Sequence, residues 1–130
     1  MQTNLYIDGN WVPSQSAQRF DVMNPATEDV IASVASADIF DADLALNAAS
    51  TAIQEWAARS PRDRSEVLRK AWELMTARLP EFARLITLEN GKANADAMGE
   101  ATYAAEFFRW FAEEAVRVDG LIAHAPASGA

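Results

Sequence analysis

Few side chains in this chain are able to break a bond, and their types exclude most chemistry. No cysteine occurs among the 130 residues, which removes a thiolate nucleophile, thiolate metal ligation and a disulfide framework. The only histidine, His124, stands in a run of small residues with no nucleophile or carboxylate cluster beside it in sequence. A triad needs a partnered base, so His124 is no candidate. No G-x-G-x-x-G, Walker A or H-E-x-x-H pattern is present, and with them go the usual phosphate cradle and zinc site. The carboxylates Glu81, Glu89, Glu113 and Glu114 fall on helical stretches that need a solvated face, and a charged exterior accounts for them better than paired acid-base work. Tyr103, Phe107, Trp110 and Phe111 recur at helical spacing. Such a row either lines a ligand channel or is core, and the core reading is the commoner. The chain thus offers no catalytic residue and no cofactor-binding residue of its own.

Two kinds of element must position these side chains. Asp8-Gly9 between the short apolar stretches of NLYIDGNWV is the chemistry of a type I′ turn, so residues 4–12 are expected to form a hairpin. Phe20 to Met23 and Val30 to Val34 flank Asn24-Pro25-Ala26-Thr27-Glu28, where proline fixes φ and denies a ladder bond. A second strand pair follows from that. After Ser36 the apolar period lengthens to about 3.6, with Leu46, Ala49, Ile53 and Trp56 on one face of a helix starting near Asp41. Ser60-Pro61-Arg62-Asp63 supplies an N-cap hydroxyl, a first-turn proline and an acid for the next helix, whose buried stripe is read as Val67, Ala71, Leu74 and Met75 with Leu68 and Trp72 beside them. A third helix runs from Pro80 to Asn90 and stops at Gly91. The last covers Ala93 to Asp119, with Phe107, Trp110, Phe111 and Ala115 as its apolar side and a Glu113–Arg117 pair at i,i+4.

Half the residues are apolar, enough for one core of ordinary size. The formal charge of −8 repels phosphate backbones, so nucleic acid is not an expected partner. The first ten residues lack a secretory signal's charged start and apolar run, and no window approaches the length of a membrane span. A cytoplasmic protein without a membrane partner is expected. The last residues, 121–130, carry no closing helix or strand, and they are expected to be either a flexible tail or the point where the chain stops in mid-structure.

Five stretches, in one order and spacing, resemble the aldehyde dehydrogenase superfamily: LYIDGNWV at 5–12, F-D-V-x-NPATEDVIASV at 20–34, D-x-A-L-x-x-A at 43–49, TLENGK at 87–92 and F-x-RWFAEEAVR at 107–117. The last looks most like the succinate-semialdehyde dehydrogenase branch. Ala93 departs from the pattern, standing where proline commonly follows GK. The resemblance implies an α/β fold for a complete enzyme, in which this chain is the N-terminal fragment: β-hairpins over 1–36, a helical part of the cofactor-binding domain over 37–120, and the truncated start of the next segment over 121–130. It also implies oxidation of a small semialdehyde with NAD or NADP, by a cysteine and a glutamate that lie downstream of the matched region. The partners so implied are the remainder of the enzyme chain, the aldehyde, and further copies in a homo-oligomer. By the same resemblance Tyr103 and Phe107 lie nearest the substrate channel's entrance, and the carbonyls of Val22 and Met23 with Glu89 hold a monovalent cation, a hard-oxygen set suited to an alkali ion. Glu89 reads equally well as an ordinary helix-end carboxylate. The rival to an enzyme fragment is a stand-alone helical interaction module, which capped helices with polar outer faces would favour and unpartnered apolar faces would not.

Overall fold

Asp8 and Gly9 both take positive φ, 49° and 75°, and turn strand β1 (Leu5–Ile7) antiparallel onto β2 (Asn10–Val12). This is the expected type I′ geometry, tied by the Asn10 side-chain amide donating to the Asp8 carbonyl at 2.8 Å. The computed structural model describes residues 2–118 and 120. Strands β3 (Arg19–Met23) and β4 (Val30–Ala35) form a second antiparallel pair with a register shift between Val22 and Met23. Their turn is closed by Asn24, whose N–H donates to the Asp29 carbonyl and whose side-chain oxygen accepts from the Ala26 N–H. Two-stranded ribbons are marginal alone. Arg19 joins these two, its guanidinium donating to Thr3, Asn4 and the Ser33 carbonyl, while the Ala35 N–H reaches the Thr3 carbonyl.

Helix α1 (Ile39–Ala58) starts earlier than Asp41, because Asp38 is the cap: its carboxylate accepts from the Phe40 and Asp41 N–H groups. Asp41 returns the bond from the third helical position, accepting from the Asp38 N–H at 3.0 Å. The expected stripe Leu46, Ala49, Ile53 and Trp56 does lie on α1, but among the described residues it is exposed. Helix α2 (Pro61–Ala77) begins as expected, with the Ser60 hydroxyl accepting from the Asp63 N–H at 3.1 Å. Helix α3 (Leu79–Asn90) carries Pro80 in its first turn and ends on Gly91, left-handed at φ 76°.

Helix α4 (Asn94–Glu114) packs against both α2 and α3, and it corrects the sequence reading twice. It ends at Glu114, short of Asp119, which lies outside the described residues as do 121–130 and His124. With the last turn gone, Arg117 pairs with Glu114 at 2.7 Å and Glu113 with Arg109 at 3.5 Å, so the i,i+4 pair of Glu113 and Arg117 does not form. The buried face of α4 is also a different one: Ala97, Ala101, Ala105 and Ala112 are buried, whereas Phe107, Trp110 and Phe111 face outward. Methyl groups let two helix backbones approach closely where aromatic rings would hold them apart. Likewise on α2, Val67 and Leu74 are exposed and Ser65 is buried, leaving Leu68, Ala71, Trp72 and Met75 half-buried.

Candidate functional site

Because alanines take the inner face of α4, its aromatic residues are left on the outside at i, i+4 spacing. Tyr103 and Phe107 meet edge to face, ring centroids 5.0 Å apart at 76°. With Glu106, Trp110 and Phe111 they line an open concavity of about 340 Å³, and Leu68, Phe107, Phe108 and Phe111 line a smaller one of about 290 Å³ beside it. Tyr103 is 68 % and Trp110 64 % exposed, so the row is not core. The lining is apolar apart from Glu106 and the tyrosine hydroxyl, which suits a small, largely apolar molecule or a covering segment of protein. It is lined by no serine, cysteine, lysine or histidine.

The second set, Val22, Met23 and Glu89, occupies the end of β3 and the last turn of α3. These segments meet: a Cβ on Gly91 would stand 3.1 Å from the Cγ of Pro25. The strand ladder has a register shift between Val22 and Met23. Glu89 is exposed. Two residues before it, the Thr87 hydroxyl is buried without a hydrogen-bond partner among the described residues. A left-handed Gly91, tight against Pro25, is what allows the NP turn and the end of α3 to lie so close.

Glu55, Glu66, Glu73, Glu81 and Glu100 are ion-paired on water-facing surfaces. The Arg69 guanidinium hydrogen-bonded to Glu66 holds that carboxyl below the usual carboxylate range, and Arg78 does the same for Glu81. A general acid needs the opposite displacement. No group of three acidic or histidine side chains placed to hold a metal occurs among the described residues. They also do not fit a dinucleotide: Gly9 serves a hairpin, Gly91 ends a helix and Gly99 sits within one, so no glycine-rich turn opens a helix toward a pyrophosphate.

Two polar clusters escaped the reading of the sequence. Asp41, 2 % exposed, accepts from the Ser14 hydroxyl at 2.9 Å and the Gln15 N–H at 3.1 Å as well as from Asp38. The D-x-x-D spacing of Asp38 and Asp41 was the available signal. Ser65 donates to the Ala112 carbonyl at 2.6 Å, a contact across 47 residues that no local pattern announces.

The sequence model described as the aldehyde dehydrogenase family matches residues 11–129. The chain belongs to the aldehyde dehydrogenase family. Among curated proteins, glutarate-semialdehyde dehydrogenase of Pseudomonas putida is 43 % identical over 115 residues, 88 % of this chain and 24 % of that protein. The NADP(+) succinate-semialdehyde dehydrogenase of Escherichia coli K12 is 40 % identical over 114 residues, again 88 % of this chain and 24 % of the relative. Among solved structures, an aldehyde dehydrogenase from Brucella melitensis biovar abortus 2308 superimposes with a TM-score of 0.94 at 37 % identity, covering 98 % of this chain and 26 % of that one. The chain therefore spans about a quarter of the length of the aldehyde dehydrogenases it matches. Among the described residues, its hairpins followed by four helices are the aldehyde dehydrogenase arrangement over that quarter.

Proposed function

We propose that this chain forms the N-terminal part of an NAD(P)-dependent enzyme that oxidises a small semialdehyde, succinate semialdehyde or a close analogue, to its carboxylic acid. The observation that carries this is 43 % identity to a glutarate-semialdehyde dehydrogenase over 88 % of the chain. Residues 1–36 act as the hairpin region, 37–120 as the helical part of the cofactor-binding domain, and 121–130 as the start of the next segment. The thiolate, the glutamate and the nucleotide-binding turns come from the rest of the enzyme, in keeping with a sequence that has no cysteine. The chain alone is inactive.

Within that enzyme Tyr103 and Phe107 line the aldehyde's way in, a role supported by their exposed, edge-to-face pairing over an apolar concavity. The carbonyls of Val22 and Met23 with Glu89 bind an alkali cation, supported by the meeting of their two segments at Pro25 and Gly91. The complete enzyme is a cytoplasmic homo-oligomer; no helix among the described residues is long and apolar enough to cross a membrane. Exposed apolar side chains on α1 and α4 weigh against a free-standing interaction module.

The test is a spectrophotometric assay of the full-length gene product, and of this chain alone, with succinate and glutarate semialdehydes and each nicotinamide cofactor. Turnover is expected from the full-length protein only. Turnover by the isolated chain, or full-length activity confined to aldehydes without a carboxylate, would overturn the reading.

A further inference from the structure

Helix α4 ends without the usual punctuation. Its cap residue, Ala115, keeps right-handed helical angles, φ −56° and ψ −27°, and no glycine or proline stands there. The Ala115 N–H still reaches the Phe111 carbonyl at 2.9 Å, so the next carbonyl along, that of Ala112, is the first of the terminal orphans. It is buried, and a buried carbonyl needs a donor. The donor comes from another helix: the buried Ser65 hydroxyl, in the first turns of α2, at 2.6 Å. Ala105 and Ala112 are buried on the same side of α4, and methyl groups supply no directional bond that would fix the axial position of one helix against the other. The Ser65 bond does fix it. On the outer side of the same helix, Tyr103, Phe107 and Phe111 stand at successive i, i+4 positions, and their height follows that of the backbone.

We propose that Ser65 is a positioning residue for the aldehyde's entrance: by capping the end of α4 from α2 it sets where the Tyr103–Phe107–Phe111 row stands, without touching substrate itself. The inference rests on the reading of that row as the entrance. Ser65→Ala and Ser65→Cys in the full-length enzyme test it, since both remove a strong hydroxyl donor while the thiol preserves the volume. Both variants are expected to raise the KM for the semialdehyde roughly fivefold, the order of one lost hydrogen bond, with kcat and the cofactor KM unchanged. Both are also expected to speed amide hydrogen exchange at the end of α4. Unchanged KM in both variants, or a wild-type KM restored by cysteine alone, would overturn the proposal. Tyr103→Ala in the same enzyme separates the two ideas. If it leaves KM unchanged the entrance reading falls, while faster exchange in the Ser65 variants still upholds the cap and unaltered exchange rejects it.

Discussion

At the scale of single residues, the most consequential side chain away from the aromatic row is Asp41. The Asp38 N–H, the largest influence, holds its carboxyl below the usual carboxylate range against the opposing effect of burial, and the Ser14 hydroxyl and the Gln15 N–H add to the lowering. A carboxyl whose folded-state value is depressed binds fewer protons folded than unfolded. Its contribution is therefore present above the ordinary value near 3.8 and is lost as pH falls through the folded one. Asp41→Asn should lower the melting temperature at neutral pH, because an amide presents donors where Ser14, Gln15 and Asp38 already donate. The gap between variant and wild type should narrow as pH drops below about 5, which a series of thermal melts in buffers down to pH 2.5 would measure. A gap that stays constant across the series would mean that folding leaves the Asp41 carboxyl's proton affinity unchanged. Glu89 supports a second expectation. If the carbonyls of Val22 and Met23 and this carboxylate bind an alkali cation in the full-length enzyme, its melting point should rise in potassium or sodium relative to a bulky organic cation. Glu89→Ala should abolish the difference, and equal melting of the wild-type enzyme in all three salts would remove the site.

At the scale of elements, the end of α3 and the inner face of α4 carry the sharpest expectations. Gly91 combines φ 76° with Pro25 at 3.1 Å from where a Cβ would sit. Gly91→Ala should cost about 1–2 kcal/mol for the left-handed backbone, and more for the contact. Pairing it with Pro25→Ala should recover only the contact's share, as a double-mutant cycle by denaturant unfolding would show. Ala101 is 3 % exposed in the seam of α4. Ala101→Leu should destabilise by about 1–3 kcal/mol through overpacking, whereas Phe107→Leu on the outer face should leave stability nearly unchanged. Helix boundaries in the sequence were legible where a cap is local: Ser60-Pro61 opens α2 and Gly91 closes α3. The end of α4 was not, because its donor, Ser65, belongs to another helix.

At the scale of the whole molecule, the buried residues among those described are alanines with Ser14, Ser65 and Asp41, and every large apolar side chain described keeps some contact with water. Ile39, Phe40, Leu46 and Ile53 on α1 and Tyr103, Trp110 and Phe111 on α4 are more than half exposed. Each would contribute roughly 1.5–3 kcal/mol if buried against a further domain. The isolated chain should therefore melt at low temperature with weak cooperativity, bind a hydrophobic dye and self-associate at high concentration. Calorimetry, dye fluorescence and sedimentation would check this, and a dye-free monomer with a sharp, high-temperature transition would contradict it.

The sequence by itself determined the type I′ turn at Asp8-Gly9, the order of hairpins and helices, the caps at Ser60 and Gly91, the absence of a thiol, and the aldehyde dehydrogenase resemblance, all properties of neighbouring residues or of composition. Tertiary structure decided which face of each helix turns inward. Hydrophobic periodicity marks an apolar stripe but carries no information about the distance to the helix opposite, and on α4 that distance suits Ala97, Ala101, Ala105 and Ala112 rather than the aromatic rings. It also decided the fate of the polar residues Asp41 and Ser65, whose burial depends on donors and acceptors brought from 27 and 47 residues away. A polar side chain can be buried only where its partner is already in place, and chain folding alone supplies that partner.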